Sequence, residues 1–461
     1  MYPDQKAVST PTSEHLYLKL FEDSSRLSVH LFKDFGMIHG SKVALMAENT
    51  IEAVISLFAI SRTGANVYLL NPEMSKSQFD NLCEQRKFNV IICEEDLIEL
   101  AQGQFADEQI LPLTKLNSVS VQSLIHTETA ARLEKRKAGN VVVLTGGTTG
   151  DFKSAGRKQS ISDFLNPLVA LIDQLDLHWF KSVYIPTPIY HGYGLAALTI
   201  SILMGSEVHL TPKFNADEAC KLIKDNEVEV ITLVPLMLQR MLAEDVPSLD
   251  SVKRILSGGA ALNPSLTETA LDQLGPILYN LYGTTEAGFC VIGTPEHLAA
   301  NPKTIGKTIK GVSRRIDGST EPNQVGELQI ASKWIMGNAE SRWIPTGDLA
   351  QIDEDGLIFL KGRTDNMIVS GGENVYPKEL EDVLVQHEGI KTAAVIGVPD
   401  DEFGKRLKAF VVLKSNVNLS EEEIKVWLKS RVARYQMPKA IEFRTELPRT
   451  SIGKINKKQL A

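Results

Sequence analysis

Two hydrophobic rhythms alternate along the chain. Ile51 to Gly64 carries apolar residues at helical spacing, and Asn66 to Leu70 follows as a short apolar run of strand type. Asn89 to Cys93 is a second such run, and Leu236 to Glu244 returns to helical spacing. Lys253 to Leu256 and Ile277 to Leu281 continue the strand-like series. This alternation predicts α/β layers containing much parallel sheet. The longest apolar stretch, Leu195 to Met204, includes Thr199 and Ser201 and is too short to span a bilayer. It predicts a core helix or strand.

The texture changes near Thr304. Glu327 to Ala331 and Gly356 to Lys361 read as short strands separated by turn residues, which predicts a β-rich subdomain. A small α+β unit begins after Gly362. In it Tyr376 to Gln386 is helical, and Ala393 to Gly397 and Ala409 to Lys414 are strands. Ser420 to Val432 opens on Ser420-Glu421-Glu422-Glu423, a capped helix start. The expected fold class is therefore α/β. A large N-terminal domain over 1–362, of layered α/β subdomains plus the β-rich subdomain, precedes a small C-terminal α+β domain over 363–461.

Composition narrows the functional classes. The 461 residues are 43% hydrophobic and 23% charged, as in ordinary globular proteins. The net charge is -8 with no Lys/Arg block, so nucleic acid is not an expected partner. The four cysteines form no C-x-x-C pair, and the nine histidines show no H-E-x-x-H spacing. Reduced thiols are expected, with no Cys/His metal site. Met1-Tyr2-Pro3-Asp4 starts no charged and then apolar leader, and a cytoplasmic protein without a transmembrane segment is expected. Monomer and homodimer both remain open.

The first chemical signal follows a β-branched run. Val141-Val142-Val143-Leu144 leads into Thr145-Gly146-Gly147-Thr148-Thr149-Gly150-Asp151-Phe152-Lys153. Glycines let backbone N–H groups approach an anion, hydroxyls add donors, and Lys153 adds a mobile positive charge. The loop fits neither G-x-x-x-x-G-K-[ST] nor G-x-G-x-x-G. Taken alone, it is equally a flexible turn.

Set beside later segments, this loop resembles the phosphate loop of the adenylate-forming superfamily. That superfamily includes acyl-CoA synthetases, non-ribosomal adenylation domains and beetle luciferases. Thr145, Gly147, Thr148, Thr149, Gly150 and Lys153 match its pattern, while Phe152 replaces a usual proline and Ser154 a usual glycine. Further matches follow in the family's order. Pro186-Thr187-Pro188-Ile189-Tyr190-His191-Gly192-Tyr193-Gly194 resembles the segment that sets His191 near the acyl carboxylate. Ser257-Gly258-Gly259-Ala260-Ala261 resembles the adenine-binding turn. Asn280-Leu281-Tyr282-Gly283-Thr284-Thr285-Glu286 fits N-x-Y-G-x-T-E. The resemblance implies that Tyr282 stacks on adenine, Thr285 touches the α-phosphate and Glu286 helps hold Mg²⁺.

The later matches carry the rest of the chemistry. Thr346-Gly347-Asp348, placed before a hairpin with Asp355-Gly356, implies that Asp348 accepts from both ribose hydroxyls. In Gly362-Arg363-Thr364-Asp365, Arg363 resembles an arginine that reaches the nucleotide, and Asp365 a hinge. Gly371 and Gly372, in Ser370-Gly371-Gly372-Glu373-Asn374-Val375-Tyr376-Pro377, resemble the pantetheine tunnel of acyl-CoA synthetases. Lys454, in Leu447-Pro448-Arg449-Thr450-Ser451-Ile452-Gly453-Lys454-Ile455-Asn456-Lys457-Lys458, matches the catalytic lysine. By composition alone that last segment is a frayed basic tail. The motif style is nearest to fatty or aryl acyl-CoA ligases.

The resemblance implies activation of a carboxylic acid with ATP and Mg²⁺ to acyl-AMP, then transfer to coenzyme A. The small domain would turn about Asp365 between the two steps. Loading of a separate acyl or peptidyl carrier protein is the neighbouring reading, and a nucleotide binder that has lost catalysis is a third.

Overall fold

The computed structural model describes residues 2–460 apart from 115–117, 128–132, 147–151, 155–168, 170, 285–286, 320, 333–342, 365–367, 371–372, 401–403, 433–435 and 451–452. It divides into two compact units, Met1–Gly288 and Phe289–Ala461.

The first unit is built on two sheets. Its strands are β1 (Lys6–Ser9), β2 (Glu14–Leu16), β3 (Lys42–Met46), β4 (Asn66–Leu70), β5 (Val90–Cys93), β6 (Ile110–Pro112), β7 (Val141–Gly146), β8 (Phe152–Ser154), β9 (Ser182–Ile185), β10 (Glu207–Leu210), β11 (Val230–Leu233), β12 (Arg254–Gly258) and β13 (Leu278–Thr284). One sheet has the order β6-β5-β3-β4-β7-β8, and the other runs β13-β12-β11-β9-β10-β1-β2. The inner pairings are parallel, as the alternation of helical and strand-like segments predicts.

Each sheet contains a point where the winding reverses. β3 pairs with β4 on one side and β5 on the other, and β9 pairs in the same way with β10 and β11. In open α/β sheets, ligands bind outside the carboxyl ends of the strands at such points. The chain leaves β3 through Ala47-Glu48-Asn49 and β9 through Pro186 to His191. These two exits frame the site described below.

The helices follow from their burial. Ile51–Thr63 is capped by Thr50, whose side chain accepts from the Ala53 N–H, and it buries residues on most of its circumference. That explains an apolar pattern too broad for a surface stripe. Leu195 to Met204 belongs to the helix Gly192–Met204. Tyr17–Lys33, a long amphipathic helix absent from the sequence reading, packs against Ile51–Thr63. Among the described residues, no helix is long and apolar enough to cross a membrane.

The second unit is largely antiparallel. β14 (Gly288–Gly293) pairs with β15 (Lys307–Thr308). β16 (Val312–Ile316), β17 (Gly326–Ser332), β18 (Ile344–Ile352) and β19 (Ile358–Arg363) form an antiparallel meander, the β-rich region expected beyond Thr304. β20 (Ile368–Ser370) and β21 (Glu373–Val375) make a short ribbon. β22 (Ile390–Asp400) pairs antiparallel with β23 (Gly404–Leu413), and β23 pairs parallel with β24 (Ala440–Phe443). Two helices cover this last sheet. Pro377–Leu384 starts on a proline, and Glu421–Leu428 carries the expected box between Ser420 and Glu423. Both end before the predicted Gln386 and Val432. Their shared core with the sheet includes Leu380, Leu384, Val395, Val411, Ile424 and Leu428.

Candidate active site

In the first unit, a buried asparagine that no motif marks joins the two strand exits. Asn49 is 1% exposed. Its Nδ2 donates to the carbonyls of Ile185 and Thr187 at 3.2 and 3.0 Å, and its Oδ1 accepts from the Ile189 N–H at 2.8 Å. A single amide side chain thus satisfies three backbone groups and fixes the segment that carries His191. His191 stands at the N-cap of Gly192–Met204 in extended conformation, its ring 4.6 Å from that of Tyr190. The first helical turn lies directly on Pro188, where a Cβ at Gly194 would come within 2.3 Å of the Pro188 carbonyl oxygen. This close approach requires glycine at 194, whereas a Cβ at Gly192 would meet nothing within 4 Å.

Tyr193 then links this turn to the next motif. Its hydroxyl donates to the Leu256 carbonyl at 2.5 Å, and its ring lies 3.3 Å from the Cβ position of Gly258. Gly258 ends β12, with Gly259 and Ala260 in the turn beyond it. β12 pairs with β13 so that Ser257 faces Asn280 and Gly258 faces Leu281. Asn280 is buried, Tyr282 half-buried and Gly283 exposed toward the end of β13. His191, Gly258, Gly259, Ala260, Asn280, Tyr282 and Gly283 therefore share the carboxyl-end edge of one sheet.

The candidate phosphate loop has strand on both sides of its undescribed centre. Thr145 and Gly146 continue β7, and Lys153 lies in β8, which pairs back with Thr145 opposite Lys153. Gly147, Thr148, Thr149 and Gly150 fall between these two strands in the sequence. Those four residues, with Thr285, Glu286, Asp365, Gly371 and Gly372, lie outside the described residues.

A separate cavity of about 310 Å³ opens where the chain leaves β3, β4 and β5, lined by Glu48, Glu73, Glu94, Asp96 and Lys213. Lys213 Nζ pairs with Glu48 Oε1 at 3.1 Å, and the other carboxylates give the cavity a negative lining.

In the second unit, three expected residues lie within electrostatic reach of one another. Asp348 and Arg363 stand opposite across β18 and β19, with Arg363 Nη1 3.3 Å from Asp348 Oδ1. Asp348 lies inside β18, the first strand of the hairpin that turns at Asp355-Gly356, rather than ahead of it. The ladder holds it, and its own N–H donates to Thr346 Oγ1 at 3.2 Å. Thr346 is buried, and its hydroxyl donates to the Leu328 carbonyl at 2.9 Å. The Gly347 N–H donates to Glu327 Oε1, and Arg363 Nη1 donates to the Thr346 carbonyl, each at 3.2 Å. The Asp348 carboxylate keeps 14% exposure, enough for a ligand to reach.

Lys454 comes from a closed turn. The Thr450 N–H donates to the Lys454 carbonyl at 2.7 Å, and the Lys454 N–H donates to Thr450 Oγ1 at 3.2 Å. Gly453 before it has φ +75°, and its carbonyl accepts from Arg449 Nη1 at 2.7 Å. The residue is exposed, yet protein around its ammonium lowers its pKa below the usual lysine range. Burial is the largest cause, Asp348 opposes it, and Arg363 adds to it.

The four cysteines are free and buried, and burial pushes Cys83, Cys93 and Cys290 up to about 12. Such thiols are poor nucleophiles. Among the described residues, no group of three or more His, Cys, Asp or Glu could hold a metal ion.

The whole architecture recurs in known proteins. ATP-bound MatB from Rhodopseudomonas palustris superposes with a TM-score of 0.90 at 24% identity, covering 99% of this chain and 95% of that one. The o-succinylbenzoate CoA synthetase of Bacillus subtilis, solved with its acyl-adenylate intermediate, gives a TM-score of 0.87 at 26% identity, with 99% and 95% coverage. In sequence, the 2-succinylbenzoate–CoA ligase of Bacillus licheniformis is 29% identical over 477 residues, covering 99% of this chain and 97% of that protein. The AMP-binding enzyme family matches residues 1–338, and the AMP-binding enzyme C-terminal domain matches 379–454. The chain belongs to the AMP-binding enzyme family.

Proposed function

We propose that this protein is an AMP-forming acid–thiol ligase. It activates an aryl acid of the 2-succinylbenzoate class with ATP and passes the acyl group to coenzyme A. The observation that carries the reading is the grouping of Asp348, Arg363 and Lys454 about one point, since they are 15 and 91 positions apart along the chain, from 348 to 363 and from 363 to 454. A sugar-binding carboxylate beside two cations suits a nucleotide whose phosphates meet a second anion. The choice of acid is supported by the Bacillus relatives, whose names state that substrate.

In this reading, Asp348 accepts from the ribose hydroxyls and Tyr282 offers its ring to adenine. The acid enters past His191, on the segment that Asn49 holds. A carboxylate oxygen attacks the α-phosphorus, a new P–O bond forms, and the bond to the leaving pyrophosphate breaks. Carboxylate and ATP are both anions, so positioning and charge neutralisation dominate. Lys454 supplies a positive charge between them. In the second step, the thiolate of coenzyme A attacks the acyl carbonyl and AMP leaves. Mg²⁺ supplies further neutralisation when bound. It usually takes only one or two protein carboxylates beside phosphate and water, so Glu286 alone fits that need.

The domain boundary near Gly362, the hinge at Asp365 and the tunnel role of Gly371 and Gly372 belong to the same proposal. The gap between the two family matches, from 338 to 379, supports a boundary in this region. ATP and coenzyme A as substrates, together with four free thiols, support a cytoplasmic location.

The test is pyrophosphate release from ATP and Mg²⁺ with 2-succinylbenzoate, benzoates, fatty acids and amino acids, each with and without coenzyme A. Release with 2-succinylbenzoate, raised by coenzyme A and yielding a thioester, is expected. Preference for a fatty acid would replace the acid while keeping the reaction. Release that stops after one turnover would favour a carrier protein as acceptor. No release with any acid would favour a binder without catalysis.

A further inference from the structure

The tail that carries Lys454 is fastened from behind by an ion pair that no sequence motif singled out. Lys457 Nζ lies 2.6 Å from Glu381 Oε1. That same oxygen accepts from the Val395 N–H at 2.7 Å. Glu381 sits on the helix Pro377–Leu384, on the face that buries Leu380 and Leu384, and it is 9% exposed. Among the described residues, β22 is the edge strand of its sheet, and its outward N–H groups face no ladder strand. Glu381 satisfies one of them and is thereby held in place. A carboxylate this buried is costly unless paired, and Lys457 is its cationic partner.

The rest of the tail is anchored by apolar contacts and backbone bonds. Leu447 and Leu460 are buried with Phe410 and Val412, and Ile455 packs against them. The Asn456 N–H donates to the Pro448 carbonyl at 2.8 Å. These contacts hold both arms of the turn, but they are non-directional or close to its base. The Lys457–Glu381 pair is different, because it ties the arm after Lys454 to a fixed helix and strand at one defined point.

We infer that Glu381 and Lys457 are positioning residues for adenylation: the pair sets where Lys454 sits during acyl-AMP formation. The inference rests on the proposed role of Lys454. It assigns no contact with substrate to either residue. Since Lys454 acts only in the first half-reaction, loss of the pair should slow that half alone. A merely structural role would weaken both halves, because both use the small domain.

The experiment compares Glu381→Gln, Lys457→Met, Lys457→Arg and Lys454→Ala in the full chain, each checked for its unfolding temperature. Acyl-AMP formation is read by pyrophosphate release from ATP and 2-succinylbenzoate. Thioester formation is read separately from supplied acyl-AMP and coenzyme A. Glu381→Gln keeps an oxygen for the Val395 N–H and removes the charge. It and Lys457→Met should each slow acyl-AMP formation roughly tenfold or more, in line with the cost of a small misplacement. The double variant should be no slower than the worse single one, because one link is broken in all three. Lys457→Arg should retain the rate, and thioester formation should change little in every case. Equal loss in both half-reactions, or unaltered acyl-AMP formation in folded Lys457→Met, would overturn the inference. Lys454→Ala separates the two ideas. If it spares acyl-AMP formation, the role of Lys454 falls; if it abolishes that step while Lys457→Met does not slow it, the pair alone falls.

Discussion

The hairpin β18–β19 and the tail turn around Lys454 both present charge through the same local device. In each, a glycine with positive φ immediately precedes the charged residue: Gly347 at +71° before Asp348, and Gly453 at +75° before Lys454. They differ in what lies behind the charge. Asp348 is locked into a four-stranded meander, with Arg363 directly across the ladder. Lys454 sits on a turn closed by a few hydrogen bonds and anchored at its ends. A group that binds nucleotide through the whole reaction gains from a rigid ladder. A group needed in one half-reaction can sit on a turn, provided its anchors hold while it acts.

The largest effect expected from this contrast is at Lys454. Lys454→Ala should slow acyl-AMP formation by roughly 10³-fold, a loss of about 4 kcal/mol of transition-state stabilisation. Thioester formation from supplied acyl-AMP should persist. Asp348→Ala should act differently, because its proposed ribose contact serves both halves. Losing hydrogen bonds to a charged group costs about 1.5–3 kcal/mol, which is roughly a 10- to 100-fold rise in KM. That rise should appear for ATP in the first half-reaction and for acyl-AMP in the second. Half-reaction kinetics on the two variants check this directly, and identical patterns would erase the contrast between hairpin and tail.

The two glycines sharpen it at smaller scale. A Cβ on Gly347 would meet Arg363 Nη2 at 2.8 Å as well as adopt an unfavourable φ. Gly347→Ala should cost about 2 kcal/mol of stability and should raise the ATP KM as Arg363 is displaced. Gly453→Ala carries the backbone cost of about 1 kcal/mol and should leave the ATP KM alone while slowing acyl-AMP formation. Thermal unfolding together with steady-state kinetics distinguishes the two. A larger KM effect from Gly453→Ala would reverse the assignment of rigid and mobile roles.

Most of the strand and helix order was legible because its signals are local. Asn66 to Leu70 is a strand with the boundaries that its apolar run suggests, and Ser420 caps a helix through Glu423 as its spacing implies. Asp348, Arg363 and Lys454 were found by motif resemblance, and the fold brings them within reach of one another. Long-range satisfaction of buried groups was not legible. Asn49 reads as a loop residue after a strand, yet it serves three backbone groups about 140 positions away. Glu381 reads as one of several acidic residues on an amphipathic helix, and its edge-strand and tail partners are set only by tertiary packing. The Tyr17–Lys33 helix escaped because its polar positions include Asp23, Ser24 and Ser28, which are buried. Asp23 has His15, Lys19 and Arg26 as partners, so a burial pattern read from apolar residues alone misses that face.

The smallest effect is a displacement along the pH axis, and it tests whether the hairpin and the tail act on each other. Burial lowers the Lys454 pKa from the ordinary lysine value, Asp348 raises it, and Arg363 lowers it. In the proposed reading, acyl-AMP formation needs the protonated ammonium. It should therefore be full at lower pH and decline as pH rises through that lowered pKa, earlier than for a lysine at its ordinary value. Asp348→Asn removes an influence that raises the pKa, so the decline should move to lower pH. Arg363→Gln removes one that lowers it, so the decline should move to higher pH. Both are to be read at saturating ATP, where weaker binding does not enter. Thioester formation should run the other way, rising with pH as more of the coenzyme A thiol becomes thiolate. Profiles of the first half-reaction that stay fixed in both variants would mean that Asp348 and Arg363 do not act on Lys454 in the state that forms acyl-AMP. Shifts of opposite sign in the two variants would place hairpin and tail in one electrostatic site.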